Sequence, residues 1–415
     1  MSAFLSRLGC IVLCLACPLT LAQEGWLDRL DEALAVESSD GEFRADLSGL
    51  MDLETYYIDQ RGPAVLVTDD PVFVNPRLSL FLDTRLGPHF YSFVQARLDS
   101  GFDPGYHDHT WGDFLNARAD EYLVRYTPFD DSRVNLQFGK FATVVGNWVP
   151  RHDSWSNPFI NAPLPYENIL IITDQIAPAS QGAFLARRNV PDRKNLWLPI
   201  LWGPVYASGG SVFGQLDRFD YAVEVKNASL SSRPIHWNIH DTLVETPNLG
   251  ARVGYRPEEA WNIGTSFGYG SYLQPTARGS LPAGKDVDDY NQVTFGQDLG
   301  FAWRHWQIWA EFFAARFEVP SVGNADTLAY YLESKYKLTP DIFWAARWNQ
   351  QFFSEVPDGT GGSQRWDRDM WRIETAIGWR ITRHTQAKLQ YSYSHQNGSF
   401  QQGEQLVAAQ ATVKF

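Results

Sequence analysis

Period two governs this chain from Leu47 onward, and no other feature of the sequence limits its fold as strongly. Leu78, Leu80, Leu82, Thr84 and Leu86 alternate with Arg77, Ser79, Phe81, Asp83 and Arg85. Trp371, Ile373, Thr375, Ile377 and Trp379 alternate in the same way with Arg372, Glu374, Ala376, Gly378 and Arg380. Runs of this kind read as strands with one apolar, aromatic face and one polar, charged or glycine face. Sixteen of them follow one another, at about 46–60, 76–86, 89–100, 119–128, 133–143, 204–215, 219–229, 248–256, 260–274, 291–304, 306–319, 326–338, 341–355, 370–382, 385–396 and 405–415. Many are near the ~9–11 residues with which a tilted strand crosses a bilayer. After residue 22 no stretch approaches the ~18 consecutive apolar residues of a membrane helix. The 44% of apolar residues is therefore carried in alternation.

The connections between these segments also alternate, short then long, and the reading takes this through all fifteen. Gly87-Pro88-His89, Phe129 to Ser132, Leu216-Asp217-Arg218, Pro257-Glu258-Glu259, His305, Thr339-Pro340 and Arg383-His384 are short. Gly101 to Arg118, Leu230 to Pro247, Pro275 to Asn291 and Val356 to Asp369 are longer and rich in Gly, Pro and Asp. Short turns on one side and long loops on the other is the layout of a transmembrane barrel, turns in the periplasm and loops outside. Closure is obligatory, because in hydrocarbon every backbone N–H and C=O needs an internal partner. The expected fold is all-β, an antiparallel up-and-down transmembrane β-barrel of about 16 strands. Tyr57, Trp261, Tyr272, Trp306, Tyr336, Trp371, Trp379, Tyr391 and Tyr393, near segment ends, suit interfacial girdles.

The ends fit export. Residues 1–22, with Arg7, an apolar run from Leu8 to Ala16 and Leu19-Thr20-Leu21-Ala22, have the build of a secretory signal peptide. Cys10, Cys14 and Cys17 all fall inside it, so the mature chain is expected to hold no disulfide, Cys–zinc site or cysteine nucleophile. Residues 23–44 form a periplasmic segment in which Gly25 to Ser38 reads as a short amphipathic helix, and 45–415 form the barrel. At the other end Val407, Ala409, Ala411, Val413 and Phe415 make an alternating apolar face. It resembles the terminal strand of outer-membrane barrels, where a final aromatic is part of the signal read by the assembly machinery.

One connection breaks the scale. Val144 to Gly203 runs about sixty residues without period-two patterning, and loops this long inside a fold are usually functional or disordered. Its aromatics and prolines, as in Gly146-Asn147-Trp148-Val149-Pro150 and Asn157-Pro158-Phe159, argue against disorder. Here the chain resembles the general porins, in which a long third external loop folds into the barrel and makes the constriction; this loop is also the third. Phe138-Gly139-Lys140-Phe141 followed by Gly146 resembles the strand end entering that loop in the phosphate-selective-porin-like group. The resemblance implies a constriction loop over 144–203 and partners among outer-membrane lipid and lipopolysaccharide. It also implies a homotrimer, by analogy of fold.

Pore-lining charge sets ion selectivity. Arg77, Arg97, Arg125, Glu121 and Asp99 fall on polar strand faces, and Arg151, His152, Asp153, Arg187 and Arg188 fall in the long loop. These ten are the expected pore-lining and constriction residues. Over all the charges of the polar strand faces and of the long loop the two signs are about balanced, so no ion preference follows. Charges on facing walls either set up a transverse field or tie the loop to the wall, and the sequence leaves both open. A net charge of −13 argues against nucleic acid as a partner.

His152-Asp153-Ser154 holds the letters of a catalytic triad, but triads assemble from separate positions. His107-Asp108-His109 shows no third metal ligand at a recognisable spacing. No enzyme, cofactor or metal is expected. Two functions remain: a channel for passive diffusion of small hydrophilic solutes or ions, or a sheath around a partner such as an electron-transfer cytochrome. The second requires a wide lumen without an inward constriction.

Overall fold

A computed structural model describes residues 24–58, 71–99, 116–189, 196–238, 246–398 and 403–415. The leader with its three cysteines, His107-Asp108-His109 and Asp192 to Lys194 lie outside the described residues. Sixteen antiparallel strands form the barrel. They are β1 (Phe43–Ile58), β2 (Val72–Leu86), β3 (Phe90–Asp99), β4 (Asn116–Tyr126), β5 (Asn135–Phe141), β6 (Ala207–Leu216), β7 (Phe219–Lys226) and β8 (Asn248–Tyr255). They continue with β9 (Trp261–Ser271), β10 (Asn291–Trp303), β11 (Trp306–Val319), β12 (Gly323–Lys337), β13 (Ile342–Phe353), β14 (Met370–Arg380), β15 (Thr385–Gln396) and β16 (Gly403–Lys414). β1 pairs with β16 from Leu50↔Lys414 to Ile58↔Leu406, so the sheet is closed. Closure gives each strand two hydrogen-bonded neighbours, as hydrocarbon demands.

The pleat sorts the side chains as the alternation predicts. Leu249, Val253, Phe267, Phe295, Leu332, Phe352, Ile373 and Ile377 point outward and are exposed. Polar partners on the same strands, such as Ser266, Asp298, Glu333 and Glu374, are buried inside. A continuous apolar outer surface on this scale belongs against lipid. Aromatic pairs mark the turn-side rim, among them Trp261–Phe301 at 4.3 Å, Trp306–Tyr336 at 4.6 Å and Phe219–Tyr255 at 4.7 Å. Trp348–Trp371 at 5.4 Å and Trp371–Tyr393 at 5.5 Å mark the opposite rim.

Two expectations need correction. Tyr272 is not a girdle residue: just past the end of β9 the chain turns inward, and its ring packs edge-on against Phe317 at 5.3 Å with almost no exposure. The long-and-short rule also fails once. β11 and β12 stay paired up to Val319↔Gly323, which leaves a long-side connection of residues 320–322, as short as the turns opposite.

Ahead of the barrel, helix α1 (Glu24–Ala33) leads into a short strand, Ala35–Glu37, which pairs with the start of β1. Leu27 is buried, and Asp28 reaches the β14–β15 turn, pairing with Arg383 and with His384 at 2.7 Å. These contacts lower the Asp28 pKa, with the His384 hydrogen bond foremost. At the other end of the sheet the backbone of Phe415 exchanges hydrogen bonds with Gly49 at 2.7 and 3.1 Å. The Phe415 ring covers that glycine so closely that a Cβ would meet it at 2.4 Å, so any larger residue at 49 would displace the ring.

Candidate functional site: an anchored loop and the passage beside it

Between β5 and β6 the chain folds into the lumen. Pro150, Pro158, Pro163 and Pro165 keep it from continuing as strand or long helix, because each removes a backbone donor. Its buried carbonyls and amides must then find partners elsewhere, and the inward charges of the barrel wall supply them. Glu224 of β7 accepts from Thr143 Oγ1 at 2.6 Å and from the Val144 amide at 3.2 Å. Glu311 of β11 accepts from the amides of Asn147 and Trp148 and from the Tyr166 hydroxyl at 2.8 Å. Lys388 of β15 donates to the carbonyls of Ser154 at 2.6 Å and Asn157 at 2.9 Å.

Arg347 of β13 lies fully buried between Glu333 and Glu374, at 3.1 and 2.5 Å, and donates to the carbonyls of Asn161 and Ala162. Arg372 of β14 holds Ala162 O at 2.7 Å and pairs with Glu167. Gly146 begins this docking at φ +88°. A Cβ there would stand 2.1 Å from the Tyr166 hydroxyl, so only glycine lets the loop approach Glu311.

An apolar core completes the seating. Val145, Trp148, Tyr166, Leu170, Phe184 and Trp202 from the loop pack with Phe313, Phe317, Ala325, Ala329 and Phe353 from the wall. This half of the lumen is filled in the manner of a soluble domain. The other half keeps a cavity of about 710 Å³ between the loop and the β1–β4 wall.

On the wall side of that cavity, carboxylates and guanidiniums interleave. Arg77 bridges Asp52 at 2.9 Å and Glu54 at 2.7 Å; Arg118 bridges Asp99 at 2.7 Å and Asp120 at 2.8 Å. Arg97 sits beside Asp99 at 3.1 Å and Asp120 at 3.4 Å. A β-bulge makes this possible. Gln95 pairs with Glu121 and Ala96 with Ala119, leaving Asp120 as the extra residue that turns its carboxylate into the lumen. On the loop side, His152 donates from Nδ1 to the Val149 carbonyl at 2.6 Å, so its Nε2 accepts from the Tyr206 hydroxyl at 2.5 Å. Burial holds the His152 pKa below its ordinary value, in keeping with a neutral ring. Asp153 accepts from the amides of Trp155 and Ser156, both at 2.8 Å. His152 and Asp153 thus hydrogen-bond to other groups and form no relay with each other.

Of the ten residues singled out from the sequence, Arg77, Arg97, His152 and Asp153 meet around the cavity, with Asp99 buried behind the arginines. The rest lie elsewhere. Arg125 donates to Gln137 and rests on Tyr91 and Phe213, while Glu121 accepts from the Ala142 amide. Arg151 faces the packed half, paired with Glu333 and stacked on Trp309 at 4.3 Å. Arg187 donates to the carbonyls of Ile171 and Ile176, and Arg188 to that of Arg365. Both fasten the loop's further course around the helix Gln181–Ala186. Apart from the Glu121 contact these loop ties run to the packed wall, while the arginines lining the cavity are balanced on their own wall.

No family model and no curated protein matches the sequence. Solved structures do match in fold. The outer-membrane protein OmpT of Vibrio cholerae superposes at a TM-score of 0.54 with 10% identity, covering 92% of this chain and 100% of that one. An anion-selective porin from Comamonas acidovorans gives 0.55 and 11%, covering 90% and 100%. The outer-membrane channel DcaP of Acinetobacter baumannii gives 0.54 and 11%, covering 92% and 99%. By its architecture the chain is a porin-like β-barrel of the bacterial outer-membrane type.

Proposed function

We propose that the chain is a passive outer-membrane channel for small hydrophilic solutes, with the loop between β5 and β6 setting the size limit. The observation that carries this reading is the placement of the loop: anchored along β7 and β11–β15, it leaves a cavity of about 710 Å³ against β1–β4. That is far more than the ~10–15 Å³ a single water needs. Charged side chains on the β1–β4 wall stand among aromatic and aliphatic ones in the lining, and these charges suit hydrated solutes. A sheath for a threaded partner needs the space that the loop fills, so that reading finds no support. On the channel reading, lipid surrounds the apolar belt and lipopolysaccharide meets the outer rim.

The test is single-channel conductance of the purified protein in a planar bilayer, with and without residues 147–192. Discrete steps that grow on deletion are the expected result. Absence of conductance in both forms would overturn the reading.

A further inference from the structure

The charges beside the passage nearly cancel, so depth decides what a solute meets. The side chains of Arg77, Arg97 and Arg118 are 15%, 18% and 27% exposed. The carboxylates that balance them, Asp52, Glu54, Asp99 and Asp120, are between 0% and 4% exposed. The wall is thus a double layer, guanidiniums toward the cavity and carboxylates behind. Coulomb energy falls with distance, so a solute beside this wall is governed by the nearer layer.

The loop side does not reverse the sign. Glu167 is buried against Arg372, so the loop side brings one carboxylate to the cavity, Asp153, whose Oδ1 is held by two backbone amides, against three guanidiniums on the wall. Lys388, buried beneath the loop, adds a cation within the same neighbourhood.

Among the three arginines Arg97 is the most loosely held. Its ion-pair distances are 3.1 and 3.4 Å, against 2.7–2.9 Å for the ion pairs of Arg77 and Arg118. Its Nε, shielded from solvent, faces Asp99 Oδ2 at 3.1 Å without forming a hydrogen bond. Arg97 is therefore the guanidinium least committed to its own carboxylates and the most readily shared with a passing solute, and its planar head suits a carboxylate as well as a halide.

We propose that the passage selects for small anions, carboxylates included, and that Arg97 is the residue that sets the preference. The proposal rests on the channel reading and deepens it by naming the solute class.

The experiment is the reversal potential of the intact protein in a planar bilayer under a tenfold potassium chloride gradient at neutral pH. We expect chloride to be favoured over potassium by about threefold or more. Arg97→Gln should bring that ratio toward unity, and its fold is safeguarded because Arg118 still neutralises Asp99 and Asp120. Asp120→Asn, which removes recessed negative charge, should move the ratio the other way. Clear conductance with potassium equal or favoured overturns the anion proposal and leaves the channel reading standing. An unchanged ratio in Arg97→Gln overturns the assignment to Arg97. No conductance at all removes the channel reading itself.

Discussion

On β11 the inward positions include Trp309, Glu311, Phe313, Ala315 and Phe317; on β2 they include Asn75, Arg77, Ser79, Phe81 and Asp83. Both strands belong to one closed sheet and follow one pleat, yet the first wall is covered by the loop and the second faces the cavity. The difference lies in how each wall satisfies its charges. On the packed side Glu311, Arg347 and Arg372 take loop backbone as partners, and apolar neighbours exclude water around them. On the cavity side Arg77, Arg97 and Arg118 take carboxylates of their own and adjacent strands and need nothing from the loop. A lumen can therefore be part core and part open cavity when ionic residues on one wall are given backbone to hold and those on the other are given each other.

The comparison can be broken by substitution. Arg347→Leu leaves the buried Glu333 and Glu374 with one guanidinium each, Arg151 and Arg372, and takes two donors from the loop backbone, and should cost about 3 kcal/mol. The expected readout is a clear drop in the temperature at which the folded barrel loses its fast electrophoretic mobility. A variant as heat-resistant as the parent would mean that the loop is not structurally coupled to that wall. Phe313→Ala, which opens a hole against Tyr166, should cost about 3 kcal/mol. Phe81→Ala, half-buried on the passage wall, should cost about 1 kcal/mol or less. Equal losses in the two would show that both walls are packed alike.

Acidification sharpens the contrast more gently. His152 has a folded-state pKa lowered by burial, so the folded protein binds its proton less readily than the unfolded chain does. Its contribution to stability is complete above the ordinary value of 6.5 and is lost as pH falls below that value toward the folded one. Conductance should change as pH falls below 6.5, since a protonated Nε2 can no longer accept from Tyr206. His152→Gln should abolish that change; a pH response that persists unaltered would assign it to another group. The smallest effect is expected at α1. Asp28→Asn should speed proteolysis within residues 24–33 and leave barrel heat resistance unchanged, and equal cleavage rates would discount the Arg383 and His384 contacts.

The strands and the long loop were legible because lipid imposes a strict rule: outward positions must be apolar, so the pleat is written into the sequence. The face of a residue could be read, but not its partner, because period two says nothing about which strands meet across a lumen. Arg151 and Arg97 look alike in the sequence, yet one is buried against Glu333 and the other faces the cavity. Asp120 and Arg118 were missed because the bulge interrupts the alternation there. Glu311 was missed because it sits among Trp309, Phe312 and Phe313, where both faces look apolar. A lone carboxylate in such a run, on the inward period, was the available sign of a buried anchor.

The anchors of the loop on β7 and β11–β15 all lie later in the chain than the loop itself. Asn147 finds Glu311 across 164 positions, and Ser154 finds Lys388 across 234. Contacts so distant form only after the intervening chain has been laid down. Until β15 is in place the aromatic face of the loop has no complete surface to bury against, and the sheet around it is unfinished. The lumen therefore reaches its final bore as the last act of assembly, and in a barrel that stalls before its closing strands the loop would stay unseated and the lumen wide.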